Sequence, residues 1–221
     1  MAQLSFIKSY QEVATIKTYV FAPRGMQWQA GQYLKYTLPQ AGEAEADNTR
    51  YFTIAAAPSE GEIHITTRQT GSVFKTALDA LQPGDMVEVE GPDGDFVWNN
   101  DDTVVLVAAG IGVTPMRSML VERAALHRPL KATLVYFGRD ENVAFRDELD
   151  ALAANSDLQV IYVVGEPVTA DTILAKAPEA ASTLTYLSGP EPMVETVGEE
   201  LKSRGVDLKQ DWFPGYSEQD F

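Results

Sequence analysis

The sequence predicts two consecutive units, an N-terminal antiparallel β-barrel over residues 1–100 and an α/β unit with a doubly wound parallel sheet over residues 101–221. In the first unit, short β-branched and aromatic runs are broken by turn residues. In the second, longer uninterrupted apolar runs alternate with helical stretches, which indicates a parallel sheet with right-handed crossovers. A polar segment, residues 99–102, separates the two patterns.

Strict alternation of apolar and polar residues predicts strands at residues 62–66 and 86–90, since this is the period of a half-buried strand. One helix is expected within the barrel, at residues 73–81, where the apolar side chains fall on one face. These side chains are Phe74, Ala77, Leu78 and Leu81.

The second unit contains apolar runs that are typical of strands buried on both faces of a sheet. They cover residues 103–109, 132–137, 159–164 and 183–187. Helices are expected near residues 115–125, 143–153 and 191–204. In such a sheet, ligands bind beyond the carboxyl ends of the strands.

Composition limits the possible functions. With 17 basic and 32 acidic residues the net charge is −15, so we expect neither nucleic acid nor an anionic membrane surface as a partner. The chain has no cysteine and two histidines, which excludes disulfides, cysteine-ligated iron–sulfur clusters and thiol catalysis and disfavours a metal site. The N-terminus lacks the apolar region of a signal peptide, and no apolar run approaches the roughly 20 residues of a membrane span. We therefore expect no membrane insertion and a cytoplasmic location.

A glycine-rich turn follows the first strand of the second unit. Residues 104–115 read as a strand that ends in Gly110-x-Gly112 and opens a helix at Thr114 and Pro115. Glycines let a ligand approach the backbone, and the free N–H groups of a helix start suit a diphosphate. The pattern indicates a dinucleotide site, with a purely structural tight turn as the alternative.

In the barrel, Arg50, Tyr51, Phe52 and Thr53 form a tetrad at a predicted strand. An arginine can pair with a phosphate, an aromatic ring can stack on a flat ring, and a hydroxyl can donate to a ring nitrogen. The alternative is an ordinary strand with an exposed arginine.

A second polar turn begins at Thr66 and leads through Gly71, Ser72 and Val73 into the expected barrel helix. This helix start can receive another diphosphate, that of a flavin dinucleotide. The alternative is that Ser72 only caps the helix.

A third turn follows the last predicted strand, where Ser188, Gly189 and Pro190 precede a helix. Because the carboxyl ends of parallel strands meet at one edge, these residues are expected to face the same crevice as Gly110 to Thr114. A helix cap is the alternative for Ser188.

Taken in this order, the four segments resemble the ferredoxin–NADP reductase superfamily, whose hallmarks are an Arg-x-Tyr/Phe-Ser/Thr tetrad, a glycine-containing phosphate turn, Ala-Gly-x-Gly-x-x-Pro and a late Gly-Pro turn. Residues 30–33 and 91–96 are similar to the barrel landmarks of that family. The resemblance extends over essentially the whole chain. It implies a flavoprotein reductase with FAD as cofactor and NAD(P)H as cosubstrate, which passes electrons to an acceptor outside the chain.

The resemblance also implies roles for residues at the flavin. Arg50 matches the residue that pairs with the FAD pyrophosphate, Phe52 the aromatic on one flavin face, and Thr53 the hydroxyl that reaches flavin N5. Residues 71–73 match the phosphate turn. Some relatives end in an aromatic residue that covers the other flavin face, and the resemblance leaves this role open to Tyr216 or Phe221 of the aromatic C-terminal segment.

On the nucleotide side, residues 110–115 match the nicotinamide-nucleotide loop, with Thr114 close to the point of hydride passage. Arg139 matches a position that often holds the adenosine ribose or its 2′-phosphate. Thr53, Thr114 and Ser188 are thus the residues expected nearest the reaction.

The chain departs from the family pattern at several positions. Phe52 has no phenolic hydroxyl, which implies weaker FAD binding, as in free flavin reductases. Phe74 stands where the family usually has Ser or Thr, so more of the phosphate binding falls to backbone N–H groups. Ser188 replaces a cysteine of many members, so no thiol contributes there.

The acceptor stays open between a ferredoxin or flavodoxin, a free flavin, a quinone and a partner oxygenase. A different reading is a flavin-binding electron-transfer subunit or sensor that does not use NAD(P)H. The lack of cysteine counts against the version of it that carries an iron–sulfur cluster. An inactive structural relative is a third alternative.

Overall fold

The computed structural model describes residues 2–38, 41–42 and 48–212, which form two sheets joined by one segment. The first sheet has six antiparallel strands in the order β4-β3-β6-β1-β2-β5. They are β1 (Ala2–Val13), β2 (Ile16–Ala22), β3 (Tyr33–Thr37), β4 (Thr49–Thr53), β5 (Ile63–Arg68) and β6 (Met86–Asp93).

The first sheet curls so that its two edge strands approach each other. Directly after β4, the backbone N–H of Ala55 donates to the carbonyl of His64 in β5 at 3.0 Å. Helix α1 (Val73–Asp79) packs on the curled sheet and contributes Phe74 and Leu78 to its core. The barrel wall is therefore closed at the end where the tetrad lies.

The second sheet has five parallel strands in the order β11-β10-β7-β8-β9. Its strands are β7 (Val104–Ala109), β8 (Ala132–Gly138), β9 (Gln159–Val164), β10 (Leu184–Ser188) and β11 (Leu208–Asp211). Its helices are α2 (Thr114–Ala125), α3 (Arg146–Ala154), α4 (Ala170–Lys176) and α5 (Glu191–Ser203).

Alternate residues of β7 point to opposite faces of the second sheet, as the period of a strand requires. Val104 and Leu106 join one apolar cluster with residues of α2 and α3, and Val105 and Val107 join another with residues of α4 and α5. Because helices cover both faces, every residue of β7 is buried. The uninterrupted apolar run in the sequence has this cause.

The two sheets are connected by the chain and also share a hydrophobic core. Ile16, Phe96 and Trp98 pack in the cluster on the α2 side of the second sheet. The hydroxyl of Tyr186 in β10 donates to the carbonyl of Val97 at 2.9 Å. The barrel therefore lies against the α/β unit rather than on a free tether.

The predicted fold class, an antiparallel barrel followed by a doubly wound parallel sheet, is confirmed. The sequence analysis missed α4 and β11. The boundary predicted near residue 100 lies in the segment that joins β6 to β7.

Candidate active site

The carboxyl ends of β7, β8 and β10 border a cavity of about 690 Å³. Gly110 follows β7, Arg139 follows β8 and Pro190 follows β10, and all three line this cavity. The barrel contributes Ile16 and Arg68 to the same wall. The cavity lies between the two units. Of the residues expected at the crevice, Gly110 and Pro190 line it, whereas Thr114, Ser188 and Gly189 do not.

The glycine-rich loop and the Ser188 turn are in direct contact. A Cβ added at Gly112 would lie 2.3 Å from the carbonyl oxygen of Ser188 and 2.7 Å from the backbone nitrogen of Gly189. Only glycine allows this approach, because any side chain would force the two loops apart. The space at Gly112 is therefore filled by protein backbone, which corrects the expectation that it is kept clear for the nucleotide.

Thr114 and Pro115 start α2 and are both buried. The Thr114 hydroxyl donates to the carbonyl of Ile111 at 3.0 Å, so it ties the helix start to the loop before it. Pro115 has no N–H to satisfy in the first turn. These contacts fix the start of α2 against the glycine-rich loop, so the positive end of the helix dipole lies at this loop.

Ser188 is paired with an acid that the sequence analysis missed. β10 and β11 run side by side with Ser188 opposite Asp211, and the Ser188 hydroxyl donates to an Asp211 carboxylate oxygen at 3.4 Å. Burial raises the pKa of Asp211 to about 7, the Ser188 hydrogen bond opposes this shift and the charge of Asp95 adds to it. A carboxyl with a pKa near neutrality is a candidate for proton transfer.

The tetrad lies in β4, and its successive side chains point to opposite faces of the sheet. Phe52 is 5% exposed and packs edge-on against Tyr36, with the ring centroids 5.8 Å apart. Tyr51 lies on the other face, edge-on to Tyr33 at 5.9 Å. The expectation of an open Phe52 ring for the flavin therefore needs correction, because Tyr51 carries the more accessible ring. Thr53 is buried at the end of the strand.

Arg50 lies beside the start of α1. Its guanidinium carbon is 5.8 Å from the centroid of the Phe74 ring, and its Nη1 donates to the carbonyl of Thr49 at 2.7 Å. Phe74 is fully buried in the barrel core and makes no part of the surface. The cation is therefore placed over the α1 end of the barrel, where the phosphate turn lies.

Ser72 caps α1 by accepting a hydrogen bond from the backbone N–H of Lys75 at 3.4 Å. Gly71 has φ +73°, which favours glycine, and space is open where its Cβ would lie. Val73 is 55% exposed. The turn at residues 71–73 thus presents an open, polar helix start.

Thr66 lies inside the barrel wall instead of at this turn. Its hydroxyl oxygen is 2.7 Å from that of Thr18, which donates in turn to Glu12 at 2.9 Å. Since Thr18 uses its proton on Glu12, the Thr66 proton is directed to Thr18. Both threonines are buried, so Thr66 does not face the phosphate turn in this structure.

Two arginines reach the cavity from different units. Arg139 is exposed on the turn after β8, beside Asp140, whose carboxylate accepts from the Asn142 backbone N–H at 2.8 Å. Arg68, at the end of β5, donates through Nη1 to Thr15 at 2.8 Å. Its buried Nε finds no hydrogen-bond partner among residues 2–38, 41–42 and 48–212. Because the Arg68 side chain lines the cavity with a permanent positive charge, it suits an anionic ligand.

Comparison with known families decides the identity of the two units. Residues 10–98 match the oxidoreductase FAD-binding domain, and residues 106–199 match the oxidoreductase NAD-binding domain. The chain belongs to the ferredoxin–NADP reductase family. FAD and a nicotinamide dinucleotide are accordingly its cofactor and cosubstrate, as the sequence analysis predicted.

Several proteins are similar to this family member. The flavohemoprotein of Pseudomonas putida is 28% identical over 94% of this chain and 57% of its own length. The ferredoxin reductase component of 3-ketosteroid-9-alpha-monooxygenase from Rhodococcus rhodochrous is 30% identical over 89% of this chain and 59% of its own. The solved FAD/NAD-binding domain of nitric oxide dioxygenase from Vibrio cholerae superposes with a TM-score of 0.77 at 21% identity, covering 95% of this chain and 97% of that one. The chain spans little more than half the length of these two curated relatives.

The structure shows the position of Phe74, one departure from the family pattern. Its side chain packs in the barrel core, while Ser72 at the helix cap carries the hydroxyl of this turn. The position of Tyr216 lies outside the described residues. Within the described ranges, no helix is long and apolar enough to cross a membrane, and no cluster of three or more potential metal ligands occurs.

Proposed function

We propose that the chain moves hydride from NAD(P)H to FAD across the cavity between its two units and delivers the electrons to an acceptor outside the chain. The observation that carries this proposal is the cavity itself, which is lined by the glycine-rich loop of one unit and by β5 of the other. FAD, when bound, supplies N5 as the acceptor of the hydride, two electrons with one proton, that leaves nicotinamide C4.

The barrel offers a donor set that fits FAD. Arg50 supplies a cation for the pyrophosphate, and the turn at residues 71–73 supplies backbone N–H groups and the Ser72 hydroxyl. Tyr51 supplies an accessible ring, and Thr53 ends β4 with its hydroxyl on the same strand face. These residues hold and orient the flavin in our proposal.

The α/β unit orients the nucleotide and excludes water. Gly110 and the start of α2 receive the diphosphate, while Thr114 and Ser188 border the nicotinamide end. Asp211 keeps a proton on its carboxyl up to about neutral pH, because burial raises its pKa to about 7. Below that pH the uncharged carboxyl still accepts the hydrogen bond from the Ser188 hydroxyl and so holds this side chain in place.

For the acceptor we propose an external redox partner of the classes left open by the sequence. The name of the Rhodococcus relative, a ferredoxin reductase component of a monooxygenase, supports a partner oxygenase system. The net charge of −15 disfavours binding of an acidic ferredoxin, unless this chain carries a basic patch at the contact.

An anaerobic visible spectrum of the FAD-loaded protein tests the proposal. Flavin absorbance should bleach on addition of NADH or NADPH. Flavin bands that persist with both nucleotides would favour the electron-transfer subunit or sensor, and a chain that takes up no flavin would favour the inactive structural relative.

Replacing the barrel cation should weaken flavin binding. We expect Arg50→Ala to raise the Kd for FAD by about tenfold to a hundredfold, since a charge-assisted contact to phosphate contributes about 1.5–3 kcal/mol. Fluorescence titration of the apoprotein with FAD measures this change. Lys8→Ala, which removes an exposed cation from β1 of the same barrel, is the control. Equal FAD affinity in Arg50→Ala and wild type would contradict the assignment.

Arg139 is expected to give weak preference for NADPH. Its guanidinium can pair with a 2′-phosphate, but Asp140 lies beside it and repels the same group. Glu141 is partly neutralised by Arg146, which it contacts at 2.8 Å. With these charges opposed, discrimination between NADH and NADPH should not exceed about a hundredfold, or 2.8 kcal/mol.

The measurement is kcat/KM for both nucleotides on wild type, Arg139→Ala and the exposed control Lys176→Ala. The Arg139 variant should lose NADPH efficiency more than NADH efficiency. A preference above about a thousandfold, or one that Arg139→Ala leaves unchanged, would show that another residue reads the ribose.

A further inference from the structure

Arg117, in the first turn of α2, makes hydrogen bonds to both units at their junction. It is 8% exposed. Its Nε and Nη2 each donate to Glu148 of α3 at 2.7 Å, and Nη2 also donates to Glu60 at 2.9 Å. Nη1 donates to Glu60 and, at 3.0 Å, to the carbonyl of Ala55. All five N–H donors of the guanidinium are thus used.

The next residue of α2 continues the contact. The Ser118 hydroxyl donates to the carbonyl of Ala56 at 2.8 Å. One turn further on, Glu122 accepts from the backbone N–H of Ser59 at 2.8 Å. Two consecutive residues of α2, Arg117 and Ser118, therefore donate hydrogen bonds to two consecutive backbone carbonyls of the barrel unit.

The position of these bonds matters for the reaction. Ala55 lies two residues after Thr53, the end of the tetrad, and Arg117 lies three residues after Thr114, the start of α2. The bonds therefore connect the segment that follows the proposed flavin tetrad to the helix that follows the proposed nucleotide loop. A shift at Arg117 would change the spacing of the two sites.

The Arg117 ion pairs are better suited to fixing geometry than to adding stability. Burial raises the pKa of Glu60, but the hydrogen bonds and charge of Arg117 bring it below its usual value, so the pair stays ionised at neutral pH. A buried ion pair is often no more stabilising than apolar packing, because both charges lose water. What the planar guanidinium adds is a fixed fork of donors that sets orientation.

We propose that Arg117 is a positioning residue for hydride transfer, which locks the segment after the tetrad to the first turn of α2 and so sets the distance between the two cofactors. This inference rests on the proposed function. It assigns Arg117 no contact with either cofactor.

The test compares Arg117→Lys with Arg123→Lys, a matched control. Arg123 lies on the same helix and is 3% exposed, but its donors go to the carbonyls of Asn100 and Pro129 and to Asp101, away from the tetrad. For each variant we would measure Kd for FAD and for NAD⁺, the stopped-flow rate of flavin bleaching at saturating NADH, and calorimetric unfolding of the FAD-free chain.

In Arg117→Lys we expect the bleaching rate to fall by about tenfold to a hundredfold, because a misplacement of about 1 Å has that cost, while both Kd values change less than about threefold. The FAD-free variant should unfold in two transitions where wild type unfolds in one. Arg123→Lys should be less stable than wild type but bleach at the wild-type rate. Ser118→Ala, which removes one neutral hydrogen bond and keeps the fold, should slow bleaching by about twofold to tenfold.

An unchanged rate in Arg117→Lys would overturn the inference, and so would an equal fall in both lysine variants. A slower rate with a single unshifted unfolding transition would also overturn it, since the effect would then be local. If wild type itself does not bleach, the proposed function fails and the role in hydride transfer fails with it. In every other outcome the flavin of the wild-type protein bleaches, so failure of the proposed function can be told apart from failure of this inference.

Discussion

Gly112→Val should lower the stability of the protein and abolish its response to NAD(P)H together. The first atom of the new side chain would lie 2.3 Å from the carbonyl oxygen of Ser188. Backbone cannot yield as a flexible side chain does, so the end of β10 must move away from the glycine-rich loop. Overpacking of this kind costs about 1–3 kcal/mol or more, which corresponds to a fall in Tm of roughly 2–12 °C for a chain of this size.

The same movement opens the crevice at the nicotinamide end. We expect FAD to bind normally, because the barrel is untouched, and flavin bleaching by NADH to fall by at least about a hundredfold. Differential scanning calorimetry and stopped-flow absorbance give the two readouts. Ala125→Val places the same side chain at an exposed position of α2 and should affect neither strongly. Normal stability with lost bleaching would instead mean that the nucleotide, not Ser188, fills the space beside Gly112.

Hydrophobic patterning was sufficient for the fold class because the buried strands are covered on both sides. The strand predicted at residues 103–109 and β7 differ by one residue, as do the strand predicted at 183–187 and β10 at either end. Patterning was insufficient for β11. This strand has four residues, three of them polar, and among the residues that the structure describes it pairs with β10 alone, so neither an apolar run nor strict alternation marks it.

The glycine-rich loops in the sequence indicated the position of the site. They did not indicate which structural contact requires each glycine. The sequence shows that Gly112 follows a strand, whereas its contact with Ser188 joins residues far apart in the chain. Phe52 and Tyr51 are neighbours in the sequence, and the pairing of β4 with β3 decides which of the two rings faces the core. Arg117 reads as an ordinary helix arginine until Glu60 and Glu148 are brought around it. Non-local contacts of this kind leave no local signal.

Asp211 is expected to make the protein less stable as the pH rises toward neutrality. Burial raises its pKa from 3.8 to about 7, against the opposing hydrogen bond from Ser188 and with the added charge of Asp95. Between about pH 4 and 7 the folded chain keeps a proton that the unfolded chain has lost, so the free energy of unfolding falls with increasing pH and levels off above 7. About 1.4 kcal/mol per pH unit gives an upper bound near 4 kcal/mol.

Asp211→Asn should remove this slope. The amide oxygen still accepts from Ser188, so the variant keeps the hydrogen bond and loses only the charge. Because Asp211 retains some contact with solvent, we expect a gain of about 1–3 kcal/mol at pH 8 and little change at about pH 4. Urea unfolding of the FAD-free chain across this range measures the difference, with the exposed Asp157→Asn as the control. If Asp211→Asn follows the wild-type dependence on pH, the carboxyl is ionised at neutrality and the proposed protonated Ser188–Asp211 pair is wrong.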